Sequence, residues 1–276
     1  MSRPPSGLST AQRDLLHLMD ARVWKRRPPE EPAAHAEPPP PPLAPPAISG
    51  GFSAHAESAE RSAPPAAAPS ASPPSPPASP LAAAAGPPEL EALKSTVAAC
   101  TACPLHSGRR QTVFGVGNPN AEWMFVGEGP GEEEDRRGEP FVGRAGKLLD
   151  NMLRAMELDR ATVYIANIVK CRPPGNRNPS PEEAAACIPY LHRQIELIGP
   201  RLIVALGAVA AQRLLDTDQP VGALRGALRR SAALDRPVLA TYHPAYLLRS
   251  PGQKRKAWDD LQLAMREMEA LRAGGG

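Results

Sequence analysis

The hydrophobic pattern of the chain is set by four short apolar runs: Trp123-Met124-Phe125-Val126, Val163-Tyr164-Ile165-Ala166, Leu202-Ile203-Val204-Ala205-Leu206 and Val238-Leu239-Ala240-Thr241. Each is too short for a buried helix and ends in a glycine or a polar residue, as strands buried on both faces of a parallel sheet do. Helical periodicity lies before and between them. Leu90, Leu93 and Val97 share one face, as do Leu148, Leu149, Met152, Leu153 and Met156. Ser180-Pro181-Glu182-Glu183 is a helix start with an N-cap, a first-turn proline and a capping glutamate, and that helix stops at Gly199-Pro200. Further helices are expected over Ala208–Leu215 and from Lys254 to Leu271. Strands alternating with helices predict the α/β class, with a central, mainly parallel four-stranded sheet covered on both faces.

The chemistry gathers where those runs end. The first empties into Gly127-Glu128-Gly129-Pro130-Gly131, a loop whose glycines permit close backbone approach, and Phe141 follows ten residues later. The second ends at Asn167 and the fourth at Tyr242-His243-Pro244. Carboxyl ends of parallel strands lie on one edge, where ligands bind in open α/β sheets, so Glu128, Asn167 and His243 are expected to converge. Taken singly, each has a plain reading: Phe141 as core, Asn167 as a turn residue, His243 as a satisfied structural histidine.

Composition divides the rest. Twenty of the 36 prolines fall between Pro28 and Pro88, among alanine, serine and glutamate, with Phe52 the only aromatic there. Such a segment buries too little apolar surface to offset its ordering entropy, so residues 28–88 read as a disordered linker. Before it, residues 1–27 contain an amphipathic helix with Leu15, Leu16, Met19 and Val23 on one face and a basic end, a candidate for docking a protein partner. Residues 89–276 remain as the single folded domain. No apolar stretch resembles a signal peptide or a membrane span, so a soluble, cytoplasmic protein without membrane contact is expected. The net charge of +3 does not by itself announce nucleic acid.

Cys100, Cys103, Cys171 and Cys187 are the four cysteines. In a chain of this kind they read as metal ligands before disulfides. The C-x2-C pair followed by two widely spread cysteines is not the paired pattern of a zinc ribbon. Spacing alone leaves zinc, an iron–sulfur cluster and four buried thiols open.

Five blocks carry a resemblance: CTACPLHSGRRQTVFGVG, MFVGEGPGEEEDRRGEPFVGRAGKLLDNML, ANIVKCRPPGNRNPSPEE, LIVALG and HPAYLLR. In this order they resemble the family 4 uracil-DNA glycosylases, the iron–sulfur type of bacteria and archaea, over roughly Glu89 to Leu271. The resemblance implies a three-layer α/β/α domain, a [4Fe-4S] cluster on the four cysteines, and excision of uracil from DNA by a monomer. Excision needs an aromatic platform, a reader of the base edge and a donor to the departing base's oxygen, and no nucleophilic side chain.

Those needs assign roles. Phe141 stacks on the base, Asn167 reads N3–H and O4, and His243 donates to the developing oxyanion. Glu128 stabilises the oxocarbenium or places water, since the family has glycine where the wider superfamily has an aspartate. Gly129 and Pro130 line the base, and Glu134 excludes thymine's methyl. Arg172, Arg177, Arg249 and Lys254 are expected at phosphates, with Arg255 and Lys256 beside them, and Tyr246, Leu247 and Leu248 at the gap left by a flipped base. Two other readings are a silent iron–sulfur scaffold and the superfamily variant that becomes trapped covalently on its DNA. The GEGPG motif, and the lack of a basic histidine-containing insertion, distinguish this chain from the latter.

Overall fold

The computed structural model describes residues 87–274. The helix expected within residues 1–27 and nearly all of the expected linker lie outside them. Pro87 and Pro88 do not belong to that linker. They open helix α1 (Pro87–Ala98), because proline's fixed φ suits a first helical turn.

In chain order the remaining elements are β1 (Val116–Gly117), β2 (Trp123–Gly127), α2 (Glu132–Arg137), α3 (Arg144–Ala155), β3 (Tyr164–Asn167) and α4 (Pro181–Ile198). After them come β4 (Leu202–Leu206), α5 (Ala208–Leu215), α6 (Val221–Leu224), β5 (Leu228–Ser231), β6 (Arg236–Thr241), α7 (Pro244–Arg249) and α8 (Lys254–Ala273). The sheet order is β1-β3-β2-β4-β6-β5. The four inner strands are parallel, as the apolar runs indicated. Two antiparallel edges, β1 and β5, were not expected. Neither has an apolar run to betray it: β1 is two residues long, and β5 reads Leu-Arg-Arg-Ser with both arginines exposed.

Alternate residues of each inner strand feed opposite faces. Met124, Val126, Ala166, Ile203, Ala205 and Val238 pack with α1, α4 and α5 residues such as Leu93, Leu191 and Leu214. Trp123, Phe125, Ile165, Val204 and Leu239 pack with Leu149 and Met152 of α3 and with Trp258 and Leu261 of α8. The result is three layers, α/β/α, with the sheet as the dry middle. Among the described residues no helix is long and apolar enough to cross a membrane.

Local signals fix the helix ends. The Ser180 hydroxyl accepts from Glu183 N–H at 3.2 Å, and the Glu183 carboxylate accepts from Ser180 N–H at 2.7 Å, a closed capping box. Gly199 ends α4 with φ of 63°, a left-handed cap that glycine adopts without steric cost.

The strand order creates the site. The connection leaving β2 runs to β3 on one side, and that leaving β4 runs through α5 and α6 to β5 and β6 on the other. Loops diverge there and leave a crevice over the carboxyl ends. Register keeps the ends level: Gly127 pairs with Asn167, and Leu206 with Thr241.

Candidate active site

An open cleft lies over this edge, and Glu128, Phe141, Asn167 and His243 all line it. The three strand-end residues therefore do converge, and the loop after α2 brings Phe141 to them.

Asn167 is held by its backbone. Its carbonyl accepts from Lys170 Nζ at 2.8 Å, and Lys170 in turn donates to Gln194 Oε1 at 2.5 Å. Lys170 is fully buried, and desolvation pulls its ammonium down to about 8. The Asn167 side chain is different. It is 2% exposed, and its Oδ1 is buried with no hydrogen-bond partner. A buried acceptor left unpaired costs about 1–3 kcal/mol, so it marks a place where a donor is to arrive. Gly127 makes that place possible. A Cβ on Gly127 would stand 2.5 Å from Asn167 Oδ1 and 2.5 Å from Phe141 Cζ.

Phe141 is buried, with φ of 56°. A bulky residue in the left-handed region costs on the order of 1–3 kcal/mol and persists only where its surroundings impose it. Here Glu134 is one such constraint. Its Oε1 accepts from Val142 N–H at 2.9 Å and Gly143 N–H at 3.0 Å, and its Oε2 from Gly131 N–H at 3.1 Å. Glu134 thus lines the cleft with its carboxylate already committed to three backbone donors. The structure places it as the clamp of the Phe141 loop. Arg160 holds the other side of the same loop, through the carbonyls of Pro140 and Phe141. Nothing in the sequence pointed to Arg160, which lies in a polar turn without motif or periodicity.

His243 caps α7. Its Nδ1 accepts from Ala245 N–H at 3.1 Å, so the neutral ring carries its proton on Nε2. Its ring centroid is 5.5 Å from that of Phe141. Burial, with Arg249 nearby, pulls the imidazole down to about 4. At neutral pH His243 is therefore a neutral donor, unable to act as a cationic acid. Gly207, with φ of 94°, leaves the room: a Cβ there would come 3.0 Å from His243 Cβ. Glu128 is half-buried, and desolvation raises its carboxyl above the usual range. Gly129 packs its backbone on Val169, and Pro130 is buried beside it.

The residues expected at DNA divide. Tyr246, Arg177 and Arg249 line the cleft, with Arg177 and Arg249 exposed. Arg177 makes two bonds to Glu183, at 2.8 and 2.7 Å. Arg172 lies outside the lining and donates to Asn176 Oδ1 at 2.7 Å. Leu247 and Lys254 are corrections. Leu247 is 0% exposed because the inward face of α7 belongs to the α3–α8 core, and Lys254 is 4% exposed at the start of α8. Leu248 is half-buried against that core.

The four cysteines line one separate pocket, between the end of α1, the segment after β3 and α4. Among the described residues no three His, Cys, Asp or Glu side chains close on the spacing of a single ion. Donors already face the sulfurs: Arg109 reaches Cys171 Sγ at 3.1 Å, Tyr190 Oη reaches Cys100 Sγ at 3.3 Å, and Lys170 N–H reaches Cys187 Sγ at 3.3 Å. Burial pushes the Cys187 thiol up to about 11, and those of Cys103 and Cys171 up as well. Such thiols ionise only when a cation replaces their protons. The four convergent cysteines and the donors facing them fit a cluster.

His243 yields a test with a definite sign. Its ring titrates near about 6.5 when unfolded and about 4 when folded, so the unfolded chain takes up the proton first as pH falls. The stabilising effect of the neutral ring is full above about 6.5 and is lost between about 6.5 and 4. Histidine-resolved NMR is expected to show a midpoint near 4 for His243. A midpoint near 6.5 would contradict the desolvation of the ring.

Residues 114–262 match the family model of the uracil DNA glycosylase superfamily. The chain is 46% identical over 186 residues to the type-4 uracil-DNA glycosylase of Thermotoga maritima, covering 63% of this chain and 92% of that protein. It is 43% identical to the type-4 enzyme of Archaeoglobus fulgidus (63% and 90% covered) and 40% identical to that of Pyrobaculum aerophilum (63% and 92%). A match of this extent places the chain in the type-4 branch of the uracil-DNA glycosylase superfamily.

Proposed function

We propose that the protein excises uracil from DNA, hydrolysing the N-glycosidic bond of a flipped-out deoxyuridine and leaving an abasic site, the first step of base excision repair. The observation that carries this reading is the orphaned Oδ1 of Asn167, buried in a cleft against an aromatic ring. Uracil offers N3–H, the donor that this acceptor lacks, and its O4 can accept from the Asn167 amide N–H. Cytosine presents the reverse order, an acceptor at N3 and a donor at N4, and leaves the buried oxygen unpaired.

The chemistry is dissociative. The C1′–N1 bond breaks with its electron pair leaving on the base, and the charge spreads onto O2. The neutral His243 donates from Nε2 to that oxygen, a contribution of about 10²–10³ in rate for a donor of this type. Phe141 stacks on the base plane. Glu128, as a carboxylate at the edge of the cleft, faces the positive sugar and orients a water. The water oxygen bonds to C1′, and its proton ends on the released base.

Cys100, Cys103, Cys171 and Cys187 would hold a [4Fe-4S] cluster. When bound, it supplies fixed iron–thiolate bonds that tie the end of α1 to α4 and to the segment continuing from Asn167. Arg249 and Tyr246 meet the DNA at the rim of the cleft, so binding weakens with salt. The activity is assigned to residues 89–276, in a cytoplasmic enzyme acting on uracil-containing DNA.

Asn167→Ala is expected to slow uracil release from a single-uracil oligonucleotide at least ~10-fold, since each lost bond costs about 1–3 kcal/mol. Asn167→Asp is expected to lose uracil release and to gain weak cytosine release, most visibly at low pH. Full uracil activity in Asn167→Asp would overturn the base-reading role.

The metal is tested separately. Purified protein is expected to be brown, with about four irons per chain. Cys187→Ala is expected to lose the colour and lower the thermal midpoint before it alters base choice. Stoichiometric zinc without iron would contradict the cluster.

A further inference from the structure

We infer that Arg160 is a positioning residue for base stacking, acting on the substrate through the ring of Phe141 without touching the base. The inference rests on the reading of Phe141 as the stacking face.

The loop that carries Phe141 is gripped from two sides. Beyond the ring, the N–H groups of Val142 and Gly143 donate to Glu134. Before it, the Arg160 guanidinium spends all three of its nitrogens. Nε donates to Asp150 Oδ1 at 2.6 Å, one terminal nitrogen to the Pro140 carbonyl at 3.0 Å, and the other to the Phe141 carbonyl. Asp150 sits on α3, so the guanidinium ties the loop to a rigid helix. Gly146, in the first turn of that helix, completes the seat, because a Cβ there would overlap the Phe141 carbonyl. Carbonyl and ring leave the same residue, whose φ is 56°. Fixing the carbonyl in this unfavourable conformation fixes where the ring points, which is toward Asn167 and His243.

A lysine could not do the same. One ammonium lacks the planar fork that meets a carboxylate and two carbonyls at once. The Arg160 side chain is only 28% exposed, so its partners are not readily replaced by water.

The test is a double-mutant cycle on the full-length, cluster-loaded protein, read by single-turnover uracil release. Arg160→Met is expected to slow release at least ~10-fold alone and less than ~2-fold in a Phe141→Ala background. An equal fold loss in both backgrounds would overturn the inference and leave the stacking role standing. Undiminished activity in Phe141→Ala would overturn both. If Arg160→Met does not fold, Arg160→Lys replaces it, with a smaller loss that should vanish in the same background.

A second readout separates positioning from general support. The chain has four phenylalanines. With 4-fluorophenylalanine incorporated, Arg160→Lys is expected to shift the fluorine resonance of Phe141 while those of Phe114 and Phe125 stay in place. An unmoved Phe141 resonance would count against the inference, as would movement of all the core resonances together.

Discussion

The arrangement depends on the absence of one side chain. Register sets Gly127 directly across from Asn167, and the missing Cβ lets the asparagine amide and the Phe141 ring close on the same point. Even a methyl group would collide with both, at 2.5 Å from each. Parallel pairing of β2 and β3 thus does more than complete a sheet. It brings the Asn167 amide and the Phe141 ring to one point, with the amide oxygen buried.

Around that point, charged groups serve as holders of backbone. Glu134 accepts from three N–H groups, Glu183 closes the start of α4 and grips Arg177, and Arg160 takes two carbonyls. A comparable network lies behind His243. Asp260, 1% exposed, accepts from Thr241 Oγ1 at 2.8 Å and from Arg225, whose guanidinium lies 5.5 Å over the Tyr242 ring. Lys170 does the same for Asn167 and also faces the cysteine cavity. Such satisfied networks are rigid, and rigidity is what a site that discriminates by hydrogen-bond order requires.

What could be read in the sequence was the part written in runs. Four apolar runs gave the inner strands, and their polar ends gave Glu128, Asn167 and His243 a common edge. The Ser180 capping box and the Gly199 stop stood in the text as they stand in the fold. The edges β1 and β5 were not readable, because an edge strand needs neither length nor a buried run. Amphipathic detail misled at Leu247 and Lys254, since a list of basic and apolar residues near a motif does not say which way a short helix turns. Arg160 and the clamping role of Glu134 are properties of a loop conformation. No spacing in the chain encodes them.

The reading of Asn167 as the acceptor for a base N–H is the centre of the account, and changing the substrate tests it more directly than changing the protein. An oligonucleotide carrying 3-methyluracil keeps both carbonyl oxygens of uracil but places N–CH3 where N3–H was. Its single-turnover release by the unaltered protein is expected to fall at least ~10-fold below that of uracil, corrected for the intrinsic lability of each nucleoside. In Asn167→Ala the two substrates are expected to react alike. Equal release of the two bases by the unaltered protein would show that the buried oxygen of Asn167 receives no proton donor from the base, and would contradict the account.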